Sequence, residues 1–340
     1  MRTDDFDYTL PPERIAQQPA EPRDSSRLLV YERSSGGIRD AVFHQLPDFL
    51  KAQDVLVLNE TRVIPARLWA RKLPGGGKVE LLLLKRIAPG RWEAMVGGKG
   101  LREGRGLELA GGGRCTVIAE LSGPRRLIQF DDPLEERLPQ IGSMPLPPYI
   151  HQPLKDPDQY QTVYARNPGS AAAPTAGLHF TPQLLDRVKA LGVLVEYVTL
   201  HVGLDTFAPV NEDDPDEHHI HTEWCRLTPD VAETINRAKA SGGRVIAVGT
   251  TSVRTLETAA RHAAPGDVVA PFEGATDLFI LPGYEFQAVD ALVTNFHLPR
   301  STLLMLVSAF AGRETILAAY QEAIQDEYRF FSFGDAMLIL

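Results

Sequence analysis

Three histidines stand out as candidate acid–base groups because of what precedes them. His201 follows the apolar run Val193–Leu200, and His297 follows the run at Asp290–Thr294 within Asn295-Phe296-His297-Leu298-Pro299. His179 closes an uncharged segment of small residues, Gly169–Phe180. An imidazole titrates near neutrality unperturbed, so it suits proton transfer. A further apolar run, Val245–Val248, delivers Gly249-Thr250-Thr251-Ser252 at what reads as a helix start. Backbone N–H groups there could hold a carboxylate or phosphate, although threonine at such a place is also an ordinary cap. The small side chains before His179 either admit a flat ligand such as a purine or only pack tightly.

One stretch has metal-ligand character. On a strand, His219, His221, Glu223 and Cys225 share a face, and imidazole, carboxylate and thiol can ligate zinc. The zinc deaminases pair such a motif with a second cysteine cluster, which is missing here. A polar cleft wall is the preferred reading, and no metal is expected. The acidic run Glu212–Glu217 beside it reads as a solvated loop. No G-x-G-x-x-G, P-loop, G-x-S-x-G or H-E-x-x-H motif occurs.

The elements that must position these residues alternate in type. Thr181-Pro182 opens a helix that Gly192 closes, and Thr228-Pro229 to Gly242 repeats the pattern. Strand candidates follow at Val193–Leu200, Val245–Val248 and Asp290–Thr294, with a helical pair from Ser301 to Glu327. Such alternation predicts a largely parallel sheet covered on both faces, joined by N-terminal strands at Leu28–Tyr31 and Val55–Leu58. In such a sheet ligands bind outside the carboxyl ends of the strands, where three of these candidate loops fall. Between Thr61 and Phe130 the pattern changes to short runs rich in β-formers, Thr61–Ile64, Lys78–Lys85, Arg91–Val96, Arg114–Leu121 and Arg126–Phe130, punctuated by Gly75–Gly77, Gly97-Gly98 and Gly111–Gly113. That predicts a small β-barrel or sandwich with no helix before Pro145–Pro148. The fold class is therefore α/β: a larger domain with a mixed or parallel sheet (1–60 and 150–340) and an inserted small β-barrel (61–149).

With 340 residues, 44% hydrophobic and 23% charged, the chain has the composition of an ordinary globular protein, not a disordered or fibrous one. Two cysteines cannot build a disulfide framework. The acidic N-terminus lacks the apolar core of a signal peptide, and no apolar run spans a bilayer. A cytoplasmic protein with no membrane partner is expected. The net charge of −9 is unevenly spread: residues 62–126 hold 14 Lys/Arg against 5 Asp/Glu. A basic insertion in an acidic chain suggests a polyanion partner, or simply a basic solvated face.

Several long motifs carry a resemblance. Ala172–Phe180, Thr199-Leu200-His201-Val202-Gly203, Val248–Arg254 and Thr294–Pro299 resemble the S-adenosylmethionine:tRNA ribosyltransferase-isomerase family of queuosine biosynthesis, as do Ile15-Ala16-Gln17, Asp54–Asn59, Tyr160–Tyr164 and Tyr328–Ser332. The resemblance runs from Phe6 to the C-terminus, with two departures: Asp205 replaces a usual glycine and Ile220 a usual methionine. It implies transfer and isomerisation of the ribosyl unit of S-adenosylmethionine onto the aminomethyl group of a 7-deazaguanine base in tRNA. Epoxyqueuosine forms, and adenine and methionine leave. S-adenosylmethionine is then a consumed substrate, no cofactor is needed, and the chain is expected to act as a monomer. Catalysis would fall to His179, His201 and His297, with His221 and Glu223 behind them and base and acid left unassigned. Substrate would be held by Thr175, Gly249, Thr250, Thr251, Arg254, Asn295 and Glu223, with Arg254 pairing a carboxylate. Lys85, Arg86, Arg102 and Arg105 would hold the RNA. Two other classes remain open from the residues alone. An RNA-binding module would leave the histidine loops idle, and a small-molecule enzyme without RNA would leave the basic insertion idle.

Overall fold

Consecutive residues of the central strands are buried on both sides. In the computed structural model, Val55, Val57, Val245, Ala247 and Leu292 pack into one apolar cluster. Their neighbours Leu56, Leu58, Ile246, Val248 and Val293 pack into another. Side chains alternate across a strand, so the two clusters are the two faces of one covered sheet. The structure describes residues 1–203, 209–218, 220 and 222–340; Asp205, His219 and His221 lie outside the described residues.

In chain order the strands are β1 (Arg27–Glu32), β2 (Gly37–Val42), β3 (Val55–Asn59), β4 (Thr61–Val63), β5 (Arg67–Leu73), β6 (Lys78–Ala88), β7 (Arg91–Gly97), β8 (Gly106–Leu109), β9 (Arg114–Glu120), β10 (Arg125–Phe130), β11 (Asn167–Ser170), β12 (Leu194–Leu200), β13 (Glu223–Leu227), β14 (Val245–Val248), β15 (Phe272–Thr276), β16 (Ala291–Asn295) and β17 (Ala336–Ile339). The helices are α1 (Leu138–Ile141), α2 (Pro182–Ala190), α3 (Pro229–Ala240), α4 (Thr250–Ala260), α5 (Thr302–Ala311) and α6 (Arg313–Gln325).

Two compact units result. The first holds Met1–Thr61, Pro148–Asn167 and Pro174–Leu340. The second holds Arg62–Pro147 and Pro168–Ala173. The first is built on a nine-stranded sheet in the order β15-β13-β12-β3-β14-β16-β17-β1-β2. Pairing is parallel for β12–β3, β3–β14, β14–β16 and β17–β1, and antiparallel for the other neighbours. The sheet is thus mixed, less parallel than the alternation predicts. Antiparallel pairing comes in at the edges through β13, β15 and β2, and inside the sheet through β17, four apolar residues that carry no local sign of direction. This last strand enters between β16 and β1, antiparallel to β16.

Local signals place the helices as expected. The Thr181 hydroxyl accepts from the Leu184 amide at 3.2 Å and Pro182 fills the first helical position of α2. Gly192, with φ 82°, lets the chain turn back toward β12. No single helix among the described residues is long and apolar enough to cross a membrane.

The second unit is a closed barrel in the order β10-β7-β6-β5-β8-β9. Alternate residues such as Leu68, Leu81, Trp92, Ala94, Val117 and Ile128 fill its interior, and closure removes the exposed edges of an open sheet. Two differences from the sequence reading stand out. Strands β5 and β8 lie outside the runs that the pattern marks as strands, because Arg67–Leu73 is rich in charge and Gly106–Leu109 is short. The block also contains a helix, the one-turn α1.

Candidate active site

Strands β12, β3, β14 and β16 are neighbours and run parallel, so their carboxyl ends form one edge of the sheet. That edge carries His201, Thr61, Gly249 and Asn295. Because β17 opposes β16 and β1 parallels β17, the residues just before β17 and β1, including Ser26, come to the same edge. Three interstrand steps separate β12 from β16, about 15 Å at ~4.8 Å each.

His179 is buried in the turn Thr175–His179, and both its ring nitrogens are engaged. Nδ1 lies 2.8 Å from Ser26 Oγ and Nε2 lies 3.1 Å from Asn295 Nδ2. The Asn295 amide also donates to the Phe331 carbonyl at 3.2 Å, which fixes Nδ2 on that side. His179 Nε2 must therefore accept, so the ring proton sits on Nδ1 and points at Ser26. By the same logic Asn295 Oδ1 accepts from the Thr175 hydroxyl at 3.0 Å. Half-buried Thr175 then offers a ligand only its oxygen lone pairs. The ring stacks on Phe43 at 4.9 Å, and burial pulls its pKa down to about 4.

His201 is placed differently. Its Nδ1 lies 2.8 Å from Thr61 Oγ1 and its ring stacks on Trp224 at 5.2 Å and 20°. Thr61 is held in turn by Asn59, whose Oδ1 accepts from the amides of Thr61 and Leu200. Partial burial lowers the His201 pKa, so the ring is neutral near pH 7. Its Nε2 has no partner among the described residues. His297 sits deeper: Nε2 lies 2.7 Å from Thr294 Oγ1, its amide donates to the Tyr320 hydroxyl, and its carbonyl accepts from Tyr8. Burial takes its pKa down to about 3. Of the three expected acid–base groups, His179 has both ring nitrogens engaged, whereas His201 Nε2 and His297 Nδ1 have no partner among the described residues; His201 is the less buried of these two.

Glu223 and Arg254 also differ from expectation. They form a buried ion pair, with Glu223 Oε1 accepting from the Gly203 amide at 2.8 Å and Arg254 Nε donating to the Leu278 carbonyl at 3.0 Å. The guanidinium expected to pair a substrate carboxylate therefore already has its counter-ion inside the protein. The donors at this part of the edge come instead from the start of α4. Gly249, with φ 83°, turns the chain off β14, and the first turn of a helix leaves its amides unpaired. The Thr251 hydroxyl is buried without a hydrogen-bond partner.

The four side chains considered for a metal do not form a donor set among the described residues, and no group of three His, Cys, Asp or Glu there could hold an ion. Glu223 is neutralised by Arg254, and burial pushes the Cys225 thiol up to about 11. His219 and His221 are outside the described residues, and Ile220 is half-buried.

In the barrel, the four expected RNA contacts fall in two places. Arg102 and Arg105 lie by the rim where β5 ends: Leu73 pairs with Gly106, and Arg105 donates to the Leu73 carbonyl at 3.3 Å. Lys85 and Arg86 lie toward the far end of β6, where Arg86 is ion-paired with Glu135 at 2.7 Å. Lys85 lies seven positions beyond Lys78 on β6, about 23 Å at ~3.3 Å per residue.

Sequence reasoning missed Ser26, Thr61, Trp224 and Phe331 as partners of the candidate groups. Ser26 and His179 are 153 positions apart, Thr61 and His201 140. No local spacing encodes such pairs. The one signal is the motif Tyr328–Ser332, which contains Phe331.

The chain is similar to known proteins along its length. A family described as "Queuosine biosynthesis protein" matches residues 3–339. The S-adenosylmethionine:tRNA ribosyltransferase-isomerases of Symbiobacterium thermophilum and Moorella thermoacetica are 55% and 54% identical to this chain, each alignment covering both chains in full. The crystal structure of an S-adenosylmethionine tRNA ribosyltransferase from Thermotoga maritima is 39% identical, covers 99% of this chain and 100% of its own, and has a TM-score of 0.58. With that identity along its whole length, this chain belongs to the S-adenosylmethionine:tRNA ribosyltransferase-isomerase family of queuosine biosynthesis.

Proposed function

We propose that this protein transfers and isomerises the ribosyl unit of S-adenosylmethionine onto the 7-aminomethyl-7-deazaguanine base of a tRNA, giving epoxyqueuosine with release of adenine and methionine. Family membership over residues 3–339 supports the reaction. The sheet edge supports where it happens. S-adenosylmethionine is spent in the reaction, so its site must release the pieces as well as bind the whole.

The observation that carries the assignment of roles is the open Nε2 of His201, on a ring fixed by Thr61 and Trp224. The sulfonium charge acidifies the adjacent C–H, and a neutral imidazole held in place can take that proton. His201 is the proposed base. His179 and Asn295 act as positioning residues: they fix the Thr175 hydroxyl as an acceptor for a donor on the substrate, a ribose hydroxyl or the adenine amino group. The amides of Thr250 and Thr251 and the unpartnered Thr251 hydroxyl are proposed to take the methionine carboxylate, with Gly249 setting their direction. Glu223 and Arg254 brace the edge behind them. The basic barrel is proposed to hold the tRNA through cations such as Lys85, Arg86, Arg102 and Arg105.

The test is adenine release from S-adenosylmethionine, measured with and without tRNA bearing the aminomethyl-deazaguanine. Release that requires the tRNA, with modified tRNA as co-product, is expected. Release at the same rate without tRNA, or none with it, overturns the reading.

A further inference from the structure

Trp69 is 50% exposed on the outer face of β5, whereas Trp92 is buried in the barrel. An aromatic ring of that size left in water forfeits a large burial gain. Its surroundings are also unusual. Along β5, Arg67 and Arg71 flank it on the same face, and Glu80 is its cross-strand partner on β6. Arg67 holds Glu80 in an ion pair at 3.1 Å, which neutralises the one acidic neighbour on that side. Arg71 is paired directly with Lys78, and both are exposed. Like charges opposite each other on a sheet are destabilising. Glu108 faces Arg71 from β8, yet neither Arg71 nor Lys78 makes an ion pair with an acid among the described residues. The Lys72 ammonium reaches the Lys99 carbonyl at the same rim, where Arg102 and Arg105 also lie.

An exposed tryptophan beside two unneutralised cations, Arg71 and Lys78, does nothing for the stability of the barrel, since both features cost free energy there. Both suit an RNA strand with an unstacked base: the ring offers a platform, and the cations meet the phosphates on either side. We propose that Trp69 is a stacking platform for one splayed base of the tRNA, with Arg71 and Lys78 taking the flanking phosphates. This deepens the proposed function, on which it rests, by naming the face of the barrel that meets the RNA and the form of RNA it takes.

The experiment compares wild type, Trp69→Ala, Trp69→Phe and the double variant Arg71→Glu/Lys78→Glu for binding to the substrate tRNA and to a fully paired RNA duplex over a range of salt. Trp69→Ala should weaken tRNA binding roughly ten- to a hundredfold, the worth of one base stacked on an aromatic ring, with the salt slope unchanged. Trp69→Phe should keep part of the affinity. Binding of the duplex, which has no free base to stack, should not distinguish Trp69→Ala from wild type. The double variant should weaken binding and flatten log affinity against log salt by about 0.7–0.9 for each phosphate that the protein no longer neutralises. Trp69→Ala leaves the barrel core untouched, and its melting temperature checks that it folds. Affinity of Trp69→Ala for tRNA within twofold of wild type, or an equal loss on duplex, overturns the proposal. Adenine release by the wild type separates the two readings. If wild type neither binds tRNA nor releases adenine, the proposed function falls and this inference with it. If it does both and Trp69→Ala binds equally well, only the stacking platform falls.

Discussion

Asn295 and His179 share a 3.1 Å hydrogen bond whose direction is set by a third residue: the Phe331 carbonyl can only accept, so Asn295 Nδ2 must donate both to it and to His179 Nε2. That bond fixes the histidine tautomer, the direction of the Thr175 hydroxyl and the neutrality of a ring that sequence alone nominates as a catalyst.

A buried neutral histidine makes stability depend on pH. Burial lowers His179 to about 4 and His297 to about 3, against about 6.5 in an unfolded chain. Between these values the unfolded chain binds protons that the folded one does not. The contribution is therefore complete above pH 6.5 and is lost progressively as pH falls toward 4. Thermal unfolding should show Tm falling from pH 6.5 to 4.5, and His179→Gln should reduce that fall. A Tm at pH 5 equal to that at pH 8 would contradict the neutral assignment.

His201→Ala should slow the chemical step by about 10²–10⁴-fold, the usual worth of a positioned acid–base group. Because burial lowers the His201 pKa, the rate should rise with pH below 6.5 and be flat by pH 7. Single-turnover adenine release across pH 5–8 reads both. An unshifted acid limb in His201→Gln would assign the base elsewhere.

Removing one partner of the Glu223–Arg254 pair strands a buried charge. Glu223→Gln and Arg254→Met should each cost about 3–5 kcal/mol of stability. The double variant should cost less than the sum of the two. Denaturant unfolding measures this; additivity would mean that the two side chains do not act as a pair.

Gly249→Ala should cost about 1–3 kcal/mol, the penalty for a residue with a Cβ in a backbone region that essentially only glycine adopts, since Gly249 holds φ 83° and ψ 155°. Turning the first amides of α4 should also raise KM for S-adenosylmethionine. An unchanged KM beside a lowered Tm would show that these amides do not hold the substrate.

The two groups of barrel cations can be separated. Arg102→Glu/Arg105→Glu should flatten the salt dependence of tRNA binding more than Lys85→Glu/Arg86→Glu, because Arg86 is already neutralised by Glu135. Equal slopes for the two pairs would place RNA at both ends of the barrel.

Elements that local chemistry dictates are legible in the order of the residues. Thr181-Pro182 and Gly192 bound α2, the apolar run Val245–Val248 is β14, and alternation between glycine turns gives the barrel strands β6, β7 and β9. Long motifs also suffice to identify the family, since they persist wherever the fold puts them. The surroundings of the candidate residues are set only by folding. Whether the His179 ring nitrogens are free depends on partners 116 and 153 positions away, Asn295 and Ser26. Whether Arg254 is free for a substrate depends on Glu223 from a different strand. β17 illustrates the same limit for the fold: its four apolar residues carry no sign of direction, and its antiparallel seat beside β16 follows from where the chain returns after α6. Periodicity and caps act over a few residues, whereas hydrogen-bond saturation and desolvation are set by whatever the folded chain brings within about 3 Å.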